Sequence, residues 1–284
     1  MARALEAAAG TIYDIGYRNY EGARLGRGYA FRTLYVHSLR TAFGLGRGGR
    51  ALVIPWTLFG IMALPAIATV TIAGISGGMI NNVIDYHEIF PWDSMLLALF
   101  CGAQAPEMIS RDQHNRVLPL YFSRALRRHD YAFAKLLAMW TAVFILIVTP
   151  LLIILVGRLS LPTDFAAAFR AESKHFLAIL GTPLMAAVVM GTIAIALASY
   201  MPRRGLASAL VLGAFLLSAP VAAILVEEVD TGWGRHGVLL NPILTANGTM
   251  LALFEERPER GSATRRAGLP PETYGAAVAA YCLL

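Results

Sequence analysis

Residues 106–135 read PEMISRDQHNRVLPLYFSRALRRHDYAFAK. Arg111, Arg116, Arg124, Arg127, Arg128 and Lys135 stand here against Glu107, Asp112 and Asp130. A run this charged cannot lie in hydrocarbon, yet apolar segments of membrane-spanning character flank it on both sides. The chain must therefore cross a bilayer, expose this run at the membrane face and cross back. Its excess of positive charge assigns it to the cytosolic side, within reach of a soluble partner.

Composition extends that reading to the whole chain. Of 284 residues, 57% are hydrophobic and 15% charged, with a mean hydropathy of +0.57. Soluble domains run at about 45–50% apolar and about 25% charged. The class that fits is an all-α polytopic membrane protein. The net charge of +6 arises from 24 Lys plus Arg, 22 of them Arg, against 18 Asp plus Glu. These cations cluster at the ends of apolar segments and form no continuous basic face, which argues against nucleic acid as a partner. Cys101 and Cys282 lie in apolar stretches without a CxxC, so neither a disulfide framework nor a zinc site is expected. The first 27 residues have no apolar core of the kind a signal peptide needs and are read as part of the mature chain.

Outward from the charged run, residues 1–50 form one cytosolic segment with eight arginines against Glu6, Asp14 and Glu21. Within it, YAFRTLYVHSLRTAF (29–43) places Phe31, Leu34, Tyr35, Leu39 and Phe43 at helical spacings, with Arg32, His37 and Arg40 elsewhere on the wheel. This predicts an amphipathic helix in the headgroup layer. Residues 51–284 form a single transmembrane domain with six spans, expected at about 51–75, 92–110, 131–156, 176–200, 206–226 and from 274 onward, the last one truncated. The first has 25 uncharged residues, about 37 Å of helix at ~1.5 Å per residue, enough for a ~30 Å hydrocarbon core. The second is apolar but short, over 95–105, and must borrow from its flanks, which draws Glu107 to the inner interface. Arg111, four residues on, is expected to pair with it there. Asp130 is expected to N-cap the third span, with Lys135 snorkelling back to the interface. The loops holding Asp85, Asp93 and Asp164 face outward, while Arg203 faces inward. Residues 238–254 are too short to span and are expected as an outer re-entrant or interfacial element. On this topology sixteen cations lie inside and eight outside, and both termini are cytosolic.

Several chemistries lack their residues. There is no GxxxxGK[ST] to cradle a nucleotide, no HExxH and no GxSxG, and the six histidines are scattered over loops and helix edges. Spans one, three, four and five have no ionisable group away from their ends, which argues against ion coupling and for an external energy source. No catalytic, cofactor-binding or metal-binding residue is expected in this chain.

Glu107, Arg111-Asp112, Leu118-Pro119-Leu120, Ser123-Arg124, Arg128, Asp130-Tyr131 and Lys135-Leu136-Leu137-Ala138 together resemble the loop after the second span in permease subunits of type-2 ATP-binding-cassette (ABC) transporters. The stretch YRNYEGARLGR (17–27) is similar to the leader of actinobacterial members. The motif content is concentrated in residues 17–50 and 104–138. The chain departs from the pattern in having Asn115-Arg116-Val117 where Gly-Thr is common, and Ala125 where Pro is common.

The resemblance implies a multi-pass protein of the bacterial inner (plasma) membrane, acting as an exporter permease. It would not itself be an enzyme. ATP-Mg would be bound and hydrolysed by a separate ABC-type ATPase subunit, and a second permease copy or paralogue would complete the unit. By the same resemblance the ATPase is contacted through Arg116, Leu118, Leu120, Tyr121, Phe122, Arg124, Arg127 and Arg128. The apolar triplet Leu120, Tyr121 and Phe122, in an otherwise charged loop, points independently to a buried protein contact. A non-transporting membrane scaffold that anchors a cytosolic partner through the same loop, and a membrane enzyme acting on lipid, are the competing readings.

Overall fold

Stretches free of charge decide which helices form the frame. The computed structural model describes residues 22, 25–76, 84–123, 126–162, 164–228, 232–256, 258 and 262–283, and most of the stretch 17–27 lies outside them. Among the described residues all regular structure is helical, and four helices are long and apolar enough to cross a membrane. They are α2 (Arg50–Ile75), α6 (Arg128–Ser160), α8 (Phe176–Tyr200) and α9 (Arg204–Glu228). The reading of residues 176–200 as a helix matches α8 at both ends. A shorter helix, α1 (Arg27–Ala42), precedes the frame.

The central element is a fifth long helix, α3 (Tyr86–Met108), which packs against α1, α2, α6, α8 and α9. It starts earlier than the 92–110 expected for a second span because Asp85 and Glu88 form a reciprocal capping box at its N-terminus. Asp93 therefore lies two turns inside a helix rather than in a loop. It is 1% exposed, and its Oδ2 has no hydrogen-bond partner.

Antiparallel packing gives the bundle two distinct ends. Ser110 Oγ donates to the carbonyl of Ala198 (3.0 Å), joining the ends of α3 and α8. Arg158 donates to Asp85 (2.6 Å), joining the end of α6 to the start of α3. Arg116 and Arg203 fall at the first, basic end, and Asp85 and Asp164 at the other. Residues 158–174, expected as a loop, are largely helical: Asp164 caps α7 (Phe165–Glu172), accepting from the backbone N–H groups of Ala166 and Ala167. Small residues let the helices approach closely. A side chain at Gly191 would run into Trp140, and one at Gly102 into Leu212.

Beyond α9, the short helix α10 (Gly232–Arg235) and a 3-10 turn (His236–Leu240) lead to α11 (Pro242–Leu253), capped by the Asn241 side chain. Gly237 sits on Leu225 near the end of α9, and Phe254 stacks on Tyr86 at the start of α3. Both ends of this segment thus lie at the end of the bundle away from Arg116. Two further helices, α12 (Ala263–Ala267) and α13 (Pro271–Leu283), follow. At 13 residues, α13 is about 20 Å long, short of the ~30 Å hydrocarbon core.

The segment between α3 and α6 and the basic cleft beside it

Two small helices occupy the charged run, α4 (Ser110–His114) and α5 (Leu118–Phe122). The turn between them places Arg116 at φ +52°, in the left-handed region. A side chain there costs about 1–2 kcal/mol relative to the right-handed conformation.

Helix period sorts the apolar triplet. Leu118, Tyr121 and Phe122 share one face of α5 and pack on Leu34, Leu126, Tyr131 and Ala134. The rings of Tyr121 and Phe122 lie 5.6 and 6.0 Å from that of Tyr131. Burial and the Asp112 carboxylate push the Tyr121 phenol above its ordinary range. Leu120 falls on the opposite face and is 67% exposed. Of the predicted contact residues, Leu120, Arg116, Arg127 and Arg128 are exposed, Leu118, Tyr121 and Phe122 are half-buried, and Arg124 lies outside the described residues.

Ion pairs fasten the segment to the bundle. Asp112 accepts from Lys135 Nζ (2.8 Å) and from the Tyr131 hydroxyl (2.8 Å), while Lys135 also donates to the Met108 carbonyl (2.8 Å). Lys135 is 3% exposed, so it is enclosed rather than snorkelling. Asp130 is not the N-cap of α6 but stands in its first turn, where it accepts from Arg127 N–H and from Arg27 at the start of α1. Gln113 donates to the carbonyl of Ser199 (2.8 Å), holding α4 under α8. The stripe Leu34, Ser38 and Ala42 of α1 is buried against the bundle, leaving Arg32, His37 and Arg40 outward.

Glu107 gathers cations from three elements. Arg47 donates to its Oε2 at 2.6 Å, Arg204 bonds its Oε1, and Arg111 stands further off at 4.0 Å. The expected partner, Arg111, is thus the most distant of the three. These residues border a cleft of about 740 Å³ that also includes Arg50, His114, Ala51 and Ile54. Burial, and then the positive charges of Arg111 and Arg204, lower the pKa of the Arg47 guanidinium. Arg47 and Arg204 could not be assigned to Glu107 from sequence, because each is brought there by the fold from a remote position.

Among the described residues no group of three or more His, Cys, Asp or Glu side chains gathers as a metal site. No family model, curated protein or solved structure matches the chain.

The geometry around Glu107 ranks its partners. Arg47→Ala removes the donor to Oε2 of a carboxylate whose side chain is 10% exposed, leaving Arg204 on Oε1, and should cost about 1–3 kcal/mol. Arg111→Ala, removing a more distant group that is 47% exposed, should cost under about 1 kcal/mol. Thermal midpoints of the two variants in mild detergent check this. An equal or larger loss for Arg111→Ala would show that Arg47 does not hold the site.

Proposed function

We propose that this chain is the permease subunit of an ATP-driven ABC exporter and that a separate ATPase docks on α5. The observation that carries the proposal is Leu120, a large apolar side chain left exposed on a helix whose other apolar residues are seated against the bundle. Exposed Arg116, Arg127 and Arg128 provide a polar rim of the kind that surrounds protein contacts. The resemblance in residues 104–138 supports the same assignment.

In this reading α2, α3, α6, α8 and α9 cross the membrane, the basic end lies in the cytosol, and the bilayer is that of the bacterial inner membrane. The apolar windows of α2 and α9 are only 28% and 17% buried, against 56% for α6 and for the helical run ending in α8. That asymmetry supports a second permease copy against α2 and α9.

Replacing Leu120 with Asp should leave the chain folded and abolish ATP turnover coupled to it. A photo-crosslinking residue at position 120, used in native membranes, should capture a protein carrying Walker A and ABC signature motifs. Normal turnover with Leu120→Asp, or capture of no such protein, rejects the docking site. Asp93 favours a second reading, a proton-coupled carrier, because a buried carboxyl in a spanning helix can carry a proton. Transport driven by a pH gradient without ATP, and lost in Asp93→Asn, would select that reading.

A further inference from the structure

The cleft beside Glu107 holds more positive charge than the chain neutralises. Arg47, Arg50, Arg111 and Arg204 line it with Glu107 as the one carboxylate of the lining, so four charges against one leave three uncompensated. Arg50 has no acceptor among the described residues, and Arg47 Nε is buried without one. The first turns of α2 and α9, which begin at Arg50 and Arg204, contain no acidic residue to offset the positive ends of those helices.

The position of the cleft selects its occupant. Arg50 and Arg204 open two helices long and apolar enough to cross a membrane, so the cleft sits at headgroup depth when they do. One turn further into α2, Ile54 is 54% exposed and continues the wall as an apolar surface. A ligand with a phosphate at the arginines and a hydrocarbon chain along Ile54 satisfies both parts. A free phosphate satisfies only the first.

We infer that the cleft between the starts of α2 and α9 binds the phosphate headgroup of an anionic phospholipid from the adjacent leaflet. Arg50 and Arg111 supply charge-assisted hydrogen bonds, while Arg47 and Arg204 stay engaged with Glu107. The inference needs only that these helices cross the bilayer, and it holds for a permease and for a scaffold alike.

The test uses the full chain in nanodiscs of phosphatidylcholine with and without phosphatidylglycerol, with retained lipid measured by native mass spectrometry. The wild type should retain phosphatidylglycerol in preference to phosphatidylcholine. The Arg50→Ala/Arg111→Ala variant should lose that preference by about tenfold in affinity, as expected for roughly 1.4 kcal/mol. Arg127→Ala/Arg128→Ala, which removes the same charge elsewhere on the basic end, should keep it. Should the first variant fail to fold, Ser208→Trp fills the cleft while leaving every arginine in place and should produce the same loss. An unchanged preference in the folded cleft variants, or an equal loss in the Arg127/Arg128 control, overturns the site. Complete displacement of phosphatidylglycerol by inorganic phosphate overturns the lipid and leaves a free-anion site.

Discussion

Asp112→Ala should remove folded protein from the membrane, and adding Lys135→Met to the same chain should restore most of it. The single substitution leaves the Lys135 ammonium, 3% exposed, with the Met108 carbonyl as its remaining acceptor. Breaking a buried ion pair from one side costs about 3–5 kcal/mol, a large share of the about 5–15 kcal/mol that holds a typical domain. Methionine keeps the length of the lysine stem without the charge, so the double variant loses the attraction and the desolvation cost together. The Tyr131 hydroxyl still loses Asp112 as its acceptor, and rescue should fall short by about 1 kcal/mol. Yield of monodisperse protein and thermal midpoint in detergent measure both effects. A double variant no better than the single one would mean that Lys135 does not need Asp112.

The second large effect is expected at Gly44. This residue adopts φ +70° and closes α1 through hydrogen bonds from Gly44 N–H to Thr41 and from Leu45 N–H to Arg40, the pattern of a Schellman cap. A Cβ at this position would collide with the Ala51 carbonyl oxygen. Gly46 shares the left-handed conformation, at φ +80°, but faces open space. Gly46→Ala should therefore cost about 1–2 kcal/mol from conformation alone. Gly44→Ala must also shift backbone and should cost at least twice that. The shift would carry Arg47, which donates to the Thr41 carbonyl at 2.6 Å, away from Glu107. Equal losses of thermal midpoint in the two variants would remove the collision as the cause.

What sequence could show followed from how uniform each segment is. In α2 and α8 the apolar run is uninterrupted, so hydropathy alone placed them. In α3 the polar residues Asp93, Gln104 and Glu107 dilute the run, and neighbouring helices cover them, which no single-segment count reveals. The helical character of residues 158–174 was masked by charge, although Asp164 ahead of FAAAF is a capping signal. The apolar triplet was visible as a cluster, but only a helical period separates Leu120 from Tyr121 and Phe122. The Glu107 site was the least legible. Its i+4 neighbour Arg111 is local, whereas Arg47 and Arg204 arrive through the turn at Gly44 and the start of α9. Asp112 and Lys135 are likewise 23 positions apart and meet because α6 runs back along α3.

The fastening of α5 to α6 has a mechanical consequence. A load applied at Leu120 passes through Tyr121 and Phe122 onto Tyr131, and so enters α6 within its first turn or two. This helix is 33 residues long, about 50 Å, with Pro150 in its second half. It approaches α8 closely where Trp140 lies over Gly191 and donates to Thr192 at 3.1 Å. Tyr131 lies nine residues to one side of Trp140 and Arg158 eighteen to the other, so the two arms stand at about one to two given the constant rise of a helix. The far arm ends in the grip of Arg158 on Asp85 and Glu172, so a single helix joins the α5 contact at one end of the bundle to this latch at the other.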